Sequence, residues 1–482
     1  MEPGVPRPQA LLGQRRTRIV ATVGPASSSP ETLAALIAAG VNVFRLNLSH
    51  GDHADHRTAF GRIRAAAATR PVAVLADLCG PKIRVGRFPG GKIDLVPGER
   101  VVVTTRPGAA GAPGLIPSQY EPLARDVRPG DRILLDDGLL ELRVESTDGV
   151  DVVCRVTSGG VLRDRKGMNL PGVLVSAAAL TDKDRDDARF ALELGVDFLA
   201  LSFVRRPRDV ADLKELVRAL GGRTPVIAKI EKPEALDALD EILEAADGIM
   251  VARGDLGVEL PPESVPIVQR ELVVRARLRT KPVIVATQML ESMTHSPRPT
   301  RAEVSDVSHA VFSGADALML SGETAAGDHP VAAVEMMDRV ARRAESWQWV
   351  EGGFGSLTVD DWAGRTELPL RAALARSTAQ LSRDLRVRAV VVRTRSGVSA
   401  EVVSATRPAA PIVALSCDAA VCRRLSLLWG VVPRLIGADD FGHAAEAARR
   451  EVRALGLAQP GQVILKLAGF GQNEPSVTVL TV

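Results

Sequence analysis

Short, almost unbroken apolar runs alternate with longer amphipathic stretches along most of this chain. The runs cover residues 18–23, 42–46, 72–76, 197–201, 225–228, 248–251, 283–286 and 317–320, and continuous apolar runs of this length are what strands buried on both faces require. Ala- and Leu-rich segments at helical spacing, such as 31–39 and 265–278, lie between most of them. Strand-then-helix units repeated in order predict an α/β fold of the closed (β/α)8 TIM-barrel type. An open doubly wound sheet is the alternative, but the glycine-rich turn expected after its first strand is missing.

Between about 82 and 172 the pattern changes to short β-type runs, such as 132–135 and 150–156, punctuated by Gly and Pro. This predicts a small β-barrel domain inserted in a loop of the larger barrel, where it serves as a lid over the catalytic face. After about 345 a new α/β pattern begins, with strands expected at 389–392, 412–415, 431–435 and 463–467. The expected organisation is therefore a barrel at 14–81 and 173–345, a lid at 82–172, and a C-terminal α/β regulatory domain at 346–482.

Composition narrows the classes of function. The 482 residues are 46% hydrophobic and 25% charged with a net charge of +3, the balance of a folded globular protein. Aromatic residues make up only 3%, too few for stacking platforms, and the basic run Arg15-Arg16-Thr17-Arg18 is short; nucleic acid is not the expected partner. Cys79, Cys154, Cys417 and Cys422 are scattered without zinc-ligand spacing. No run approaches the ~20 apolar residues that cross a bilayer, and residues 1–13 lack the apolar segment of a signal peptide. A cytoplasmic protein with no membrane partner is expected.

In a barrel of this kind chemistry gathers where strands end, and the ends here are polar. The second strand runs out through Arg45, Asn47 and Ser49, which share a face if the chain stays extended. The third ends at Asp77, the fourth at Ser202, and the fifth at Lys229 and Glu231, again two apart. The sixth supplies Arg253-Gly254-Asp255, the seventh Thr287-Gln288, and the eighth Ser321-Gly322-Glu323. Any one of these has a structural explanation, an ion pair or a helix cap. Seven successive polar ends aimed at one mouth read as a site. Glu231 and Asp255 form the incomplete oxygen cage that Mg²⁺ prefers. Lys229 and Arg45 add fixed positive charge, and Gly254 lets backbone N–H groups approach an anion. Such a pocket suits a small molecule bearing a phosphate and a carboxylate.

The segments 17–26 (TRIVATVGPA), 42–51 (NVFRLNLSHG), 80–86 (GPKIRVG), 227–232 (IAKIEK), 247–256 (DGIMVARGDL), 286–293 (ATQMLESM), 297–306 (PRPTRAEVSD) and 313–327 (SGADALMLSGETAAG) closely resemble the pyruvate kinase family. The resemblance implies transfer of phosphate from phosphoenolpyruvate to ADP, giving pyruvate and ATP, the last step of glycolysis. It implies that Glu231 and Asp255 hold Mg²⁺, while a second Mg²⁺ arrives with the nucleotide. Lys229, Arg45, Thr287 and Ser321 become the catalytic set, and Gly254, Asp255 and Thr287 bind substrate with Lys229 and Arg45. Asn47, His50, Arg84 and Lys166 match nucleotide contacts. A homotetramer is also implied.

Two departures and one extra motif add to this. K⁺-dependent members bind the ion through oxygens matching Asn47, Ser49, Asp77 and a threonine that is Leu78 here, and their glutamate in the GPKIR segment is Lys82. An ammonium near Asp77 would repel a monovalent cation and stand in for it, so K⁺ independence is expected. Thr394, Arg395, Ser396, Gly397 and Ser399 follow a strand and precede a helix, and resemble the family's loop for a phosphorylated effector, a sugar phosphate or nucleotide. At 469–475 (GFGQNEP) the chain departs from the family's usual wording. A magnesium-dependent aldolase or lyase, or an inactive sugar-phosphate sensor, would share part of this pattern. The first would not need Arg84 and Lys166, and the second would be expected to lose Lys229 or a metal carboxylate.

Overall fold

The computed structural model describes residues 14–351, 353–354, 369–468 and 475–482. Eight parallel strands, Arg18–Thr22, Val43–Asn47, Ala73–Asp77, Phe198–Leu201, Val226–Ile230, Gly248–Ala252, Val283–Ala286 and Ala317–Leu320, close into a barrel in that order. Closure is made by the first strand on the last, with Arg18 opposite Ala317. Every strand residue is buried except Asn47, which is why the strands are legible as unbroken apolar runs. Val20, Val43, Leu75, Ile227, Met250 and Ile284 pack inside the barrel. The outward faces pack on the surrounding helices in a second, larger cluster.

Local signals start the helices where the barrel needs them. Thr181 and Thr300 are N-caps with reciprocal bonds to Asp184 and Glu303 three residues on, each satisfying donors the first turn cannot satisfy itself. Asp184, fully buried, also accepts from the Gly80 amide at 3.0 Å, pinning the exit toward the lid. Gly80 has φ +67°, and a Cβ there would lie 2.8 Å from the Phe203 ring; only glycine fits this turn.

The lid interrupts the barrel after its third strand. Its main sheet orders the strands Met168–Asn169, Arg132–Leu135, Leu140–Thr147, Asp151–Ser158, Arg100–Thr104 and Leu115–Pro117, beside a two-stranded ribbon of Gly160–Arg163 and Lys92–Leu95. Both sheets cover one core running from Val85 to Val173. The C-terminal sheet orders Val431–Leu435, Ile412–Ser416, Val390–Arg393, Val463–Ala468 and Ser476–Thr481. Its last strand pairs antiparallel and was not among the expected elements. The boundary expected at 345/346 falls inside one unbroken helix, Pro330–Val350. Among the described residues, the next helix, Leu370–Asp384, is the first element on the C-terminal side.

The C-terminal domain grips the end of the barrel remote from the polar strand ends. Arg18, at the start of the first strand, donates through Nε to the Leu428 carbonyl at 2.8 Å. Arg407, 1% exposed, pairs with Asp316 at 3.1 Å, donates to the Gly314 carbonyl, and lies over the Trp429 ring. Arg423 and Arg64 both pair with Asp197, at 2.8 and 2.6 Å. All four cysteines are free thiols. No helix among the described residues is long and apolar enough to cross a membrane.

Glu401, on the helix Val398–Ala405, faces Lys281 and Asp247 of the barrel. Burial pushes its carboxyl from the ordinary 4.5 up to about 7, with Asp247 adding repulsion and Lys281 and Arg424 opposing. The folded chain therefore holds this proton more tightly than the unfolded chain. Between those two values the unfolded state binds fewer protons, so stability falls as pH rises across the window. Glu401→Gln is expected to flatten that part of the profile and to raise the thermal midpoint at pH 8 relative to the parent. Denaturation scans from pH 5 to pH 8 check this.

Candidate active site

Five neighbouring strand ends bring a knot of charges together. Arg45 lies within the second strand and Asp77 ends the third, so both point into the mouth. The Arg45 Nε donates to Asp77 Oδ2 at 2.7 Å, and its Nη1 donates to the Thr22 hydroxyl at 3.2 Å. From the fifth strand, Lys229 Nζ donates to the Ser202 hydroxyl at 2.7 Å and pairs with Glu231 Oε1 at 2.9 Å. It stands 3.4 Å from Asp77 Oδ1, an ion-pair contact rather than a hydrogen bond. Glu231 Oε2 accepts from the Phe203 amide at 2.7 Å. The i, i+2 spacing of Lys229 and Glu231 thus puts both on one face, as expected.

All four charges are at most 9% exposed, so their ionisation depends on each other. Burial alone would lower the Lys229 pKa; Asp77 and Glu231 more than offset it, and the ammonium stays charged. Burial would raise Asp77, but Lys229 and Arg45 hold it below the usual carboxylate range. Glu231 goes the other way. Burial and the nearby Asp255 carboxylate raise it against the pull of Lys229. Two carboxylates close enough for one to raise the other, both offering oxygen, form a donor set that a hard divalent cation fits.

Asp255 sits on the helix Arg253–Glu259, so Gly254 and Asp255 lie inside its first turn. The Gly254 amide donates to the Thr287 hydroxyl at 2.7 Å. A Cβ at Gly254 would stand 3.3 Å from that oxygen, so glycine is what allows the approach. Thr287 and Gln288 both have left-handed backbones, φ +71° and +52°, a costly state for a β-branched residue. Arg253 holds them there. Its Nη2 donates to the carbonyls of Thr287 at 2.7 Å and Gln288 at 3.3 Å, while Nη1 pairs with Asp306 at 2.6 Å. Ser321, at the end of the eighth strand, has its amide donating to Glu323 at 2.7 Å and its hydroxyl buried without a partner.

The expected nucleotide residues line the lid side. Asn47 ends its strand, and its side chain accepts from the Ser49 amide at 3.2 Å. Ser49 therefore lies in a turn, and the shared face drawn for Arg45, Asn47 and Ser49 stops at Asn47. His50 is exposed; partial burial, then the positive charges of Arg84, Lys82 and Arg45, hold its imidazole below the ordinary value. Arg84 donates to the Arg165 carbonyl at 3.0 Å, and Lys166 pairs with Asp136 at 2.8 Å, within the lid. This edge of the mouth is basic, which suits a polyphosphate.

Lys82 differs from expectation. Its ammonium makes no ion pair with Asp77, whose oxygens are already taken by Arg45 and Lys229. The chain turns away at Gly80, and the exposed Lys82 lines a cleft of about 580 Å³ with Asp137, Gly254, Asp255 and Gln288. Ser202 and Arg253 are polar strand ends whose roles the sequence does not reveal. The hydroxyl that anchors Lys229 and the guanidinium that holds Thr287 are visible only once the strands are closed into a ring.

Far from this mouth, Thr394 is buried and its hydroxyl accepts from the Gly397 amide at 2.9 Å. Gly397 has φ +103° and caps the helix Val398–Ala405. Arg395 and Ser396 are exposed and Ser399 half-buried, with the Arg395 guanidinium 5.4 Å from the centre of the Phe441 ring. Residues 469–474, in the segment that departs from the family's wording, lie outside the described residues.

Residues 14–334 match the family model of the pyruvate kinase barrel domain, and 372–480 that of the pyruvate kinase alpha/beta domain. Pyruvate kinase 2 of Synechocystis sp. is 48% identical over 97% of this chain and 78% of its own. Pyruvate kinase of Geobacillus stearothermophilus is 44% identical over 97% and 80%. The crystal structure of a pyruvate kinase from Cryptosporidium parvum superposes with a TM-score of 0.88 at 34% identity, covering 96% of each chain.

Among the described residues, Lys229 is the one cation paired with both Asp77 and Glu231. Lys229→Met is expected to lower kcat by ~10²-fold or more, the scale of removing one preorganised charge from a transition state. Initial rates at saturating substrate check it, and near-normal turnover removes Lys229 from the chemistry.

Proposed function

The chain belongs to the pyruvate kinase family and is a phosphotransferase with that activity, and from this we propose that the charge knot around Lys229 is its phosphoryl-transfer centre, working with Mg²⁺ and without K⁺. The observation that carries the proposal is the dry cluster of Arg45, Asp77, Lys229 and Glu231 beside Asp255.

Phosphoenolpyruvate and ADP are the substrates. Arg45 binds the phosphate. The Gly254 and Asp255 amides and the Thr287 hydroxyl bind the carboxylate, once the substrate replaces the bond between Gly254 and Thr287. Glu231 and Asp255 would hold Mg²⁺, which would supply charge neutralisation for the anionic substrate. Asn47, His50, Arg84 and Lys166 receive the nucleotide phosphates, and its own Mg²⁺ comes with them. The bond from phosphorus to the enol oxygen breaks as a terminal ADP oxygen attacks phosphorus. Lys229 stabilises charge on the phosphoryl group in flight and on the enolate oxygen left behind. Protonation of the enolate at its terminal carbon then gives pyruvate, with Thr287 and the unpartnered Ser321 hydroxyl as the proton path.

K⁺ independence rests on three features. Leu78 brings no side-chain oxygen and is buried. Asp77 already carries two cations. Lys82 adds an exposed ammonium to the cleft wall near Asp255 rather than at Asp77. The loop Thr394–Ser399, with its exposed arginine and serine, is the proposed seat of a phosphorylated effector, a sugar phosphate or a nucleotide. A cytoplasmic homotetramer is the proposed working form, on the resemblance alone.

ATP formation from phosphoenolpyruvate and ADP, followed in a coupled assay, tests the centre. Replacing K⁺ by tetramethylammonium is expected to leave most of the rate, and a large loss overturns K⁺ independence. A panel of sugar phosphates and nucleotides is expected to contain an activator whose effect disappears in Arg395→Ala.

A further inference from the structure

The lid touches the barrel at the helix that carries Asp255. That helix ends at Glu259, whose side chain is 1% exposed. Asp255 and Glu259 are four residues apart and so lie one turn apart on the same face. The Glu259 carboxylate is shared. Lys232, which directly follows Glu231 and is itself buried, donates to its Oε1. The same oxygen accepts from the side-chain amide of Asn169 at 3.3 Å. Asn169 belongs to the lid. It closes the short strand Met168–Asn169, which pairs with Leu134 and Leu135 and is tied to the lid's entry by the Met168 amide on the Ile83 carbonyl at 3.0 Å. The lid turn at Gly138 reaches the same helix, with the place of its missing Cβ 3.7 Å from Val258.

Burial of an ion pair accounts for Lys232 and Glu259 alone. It does not account for how the donors are distributed. One carboxylate oxygen takes donors from the barrel and the lid, while the other, Oε2, is buried with no partner. A buried carboxylate with an empty oxygen is unevenly satisfied. It gains from rearranging as soon as the lid donor leaves, and the two groups beside it, Lys232 and the end of the helix, lead directly to Glu231 and Asp255.

We propose that Asn169, Glu259 and Lys232 form a latch that couples the seating of the lid to the placement of the metal carboxylates Glu231 and Asp255. They are positioning residues and touch no reacting atom. Seating the lid places the Asn169 amide on Glu259, fixes the end of the helix and holds Lys232 on one oxygen. Lifting the lid removes that donor and frees the carboxylate to re-pair with Lys232. The lid then affects the cation site before any substrate is present. The latch rests on the assignment of Glu231 and Asp255 to a divalent cation.

The test is Mn²⁺ binding to the full chain without substrates, read by electron paramagnetic resonance, together with backbone hydrogen exchange across the lid. Asn169→Ala is expected to weaken Mn²⁺ binding and speed lid exchange by about threefold to tenfold, the scale of one hydrogen bond. Asn169→Asp sets carboxylate against carboxylate and is expected to do more. Adding Glu259→Gln to it is expected to restore much of the loss, because a glutamine amide donates to the new carboxylate. Unchanged Mn²⁺ affinity in both Asn169 variants overturns the latch, even if lid exchange rises. If the parent chain binds no Mn²⁺ at all, the cation assignment of Glu231 and Asp255 fails first.

Discussion

A charge taken out of water persists only against its partners, and at the mouth of this barrel four charges are held almost dry. Each would cost several kcal/mol if left alone in such a place. Arg45, Asp77, Lys229 and Glu231 avoid this by pairing between the ends of three strands, with hydroxyls of Thr22 and Ser202 and the Phe203 amide completing the set. The pairing leaves one imbalance. With Asp255 included there are three carboxylates to two cations; burial raises the proton affinity of Glu231, and the Asp255 carboxylate raises it further against the pull of Lys229. In the proposed mechanism that excess is what draws a divalent cation to this place and not elsewhere. The rest of the fold serves the constraint: the closed ring keeps the partners at fixed distances, and the apolar layers around it keep water out.

Much of this was legible before folding, for physical reasons. Parallel strands covered on both sides must be apolar throughout, so all eight barrel strands stand out as runs, and 283–286 and 317–320 match the observed bounds. The alternation of a strand places Lys229 and Glu231 on one face, and the contact between them follows. The same alternation failed for Ser49, because Asn47 turns its side chain back on the Ser49 amide and ends the strand. The last strand, Ser476–Thr481, escaped notice because it lies at the sheet edge, half-exposed and mixed in polarity.

What could not be read were contacts set by closure of the ring and by turns of the chain. The family resemblance alone implied an ammonium of Lys82 near Asp77. The left-handed Gly80 redirects the chain, and the ammonium ends in the cleft wall. Arg253 sits beside Gly254 and Asp255 in sequence, yet its role is toward Thr287 and Gln288, more than thirty residues on. Left-handed threonine and glutamine leave no mark in composition. They become intelligible only with the guanidinium that caps both carbonyls, which makes the strain at Thr287 affordable to the fold.

The placement of the C-terminal domain follows the same logic of buried pairs. Its anchors are Asp197, held by Arg423, and Asp316, held by Arg407. Each aspartate directly precedes a barrel strand. Asp197 leads into Phe198–Leu201 and then Ser202, whose hydroxyl takes a bond from Lys229. Asp316 leads into Ala317–Leu320 and then Ser321, at the edge of the substrate pocket. Each of these two strands thus has an anchor of the C-terminal domain at its start and a serine hydroxyl at its end. The C-terminal domain and the lid therefore hold different parts of the barrel: the first pairs with aspartates at the starts of two strands, and the second contacts the helix of Asp255.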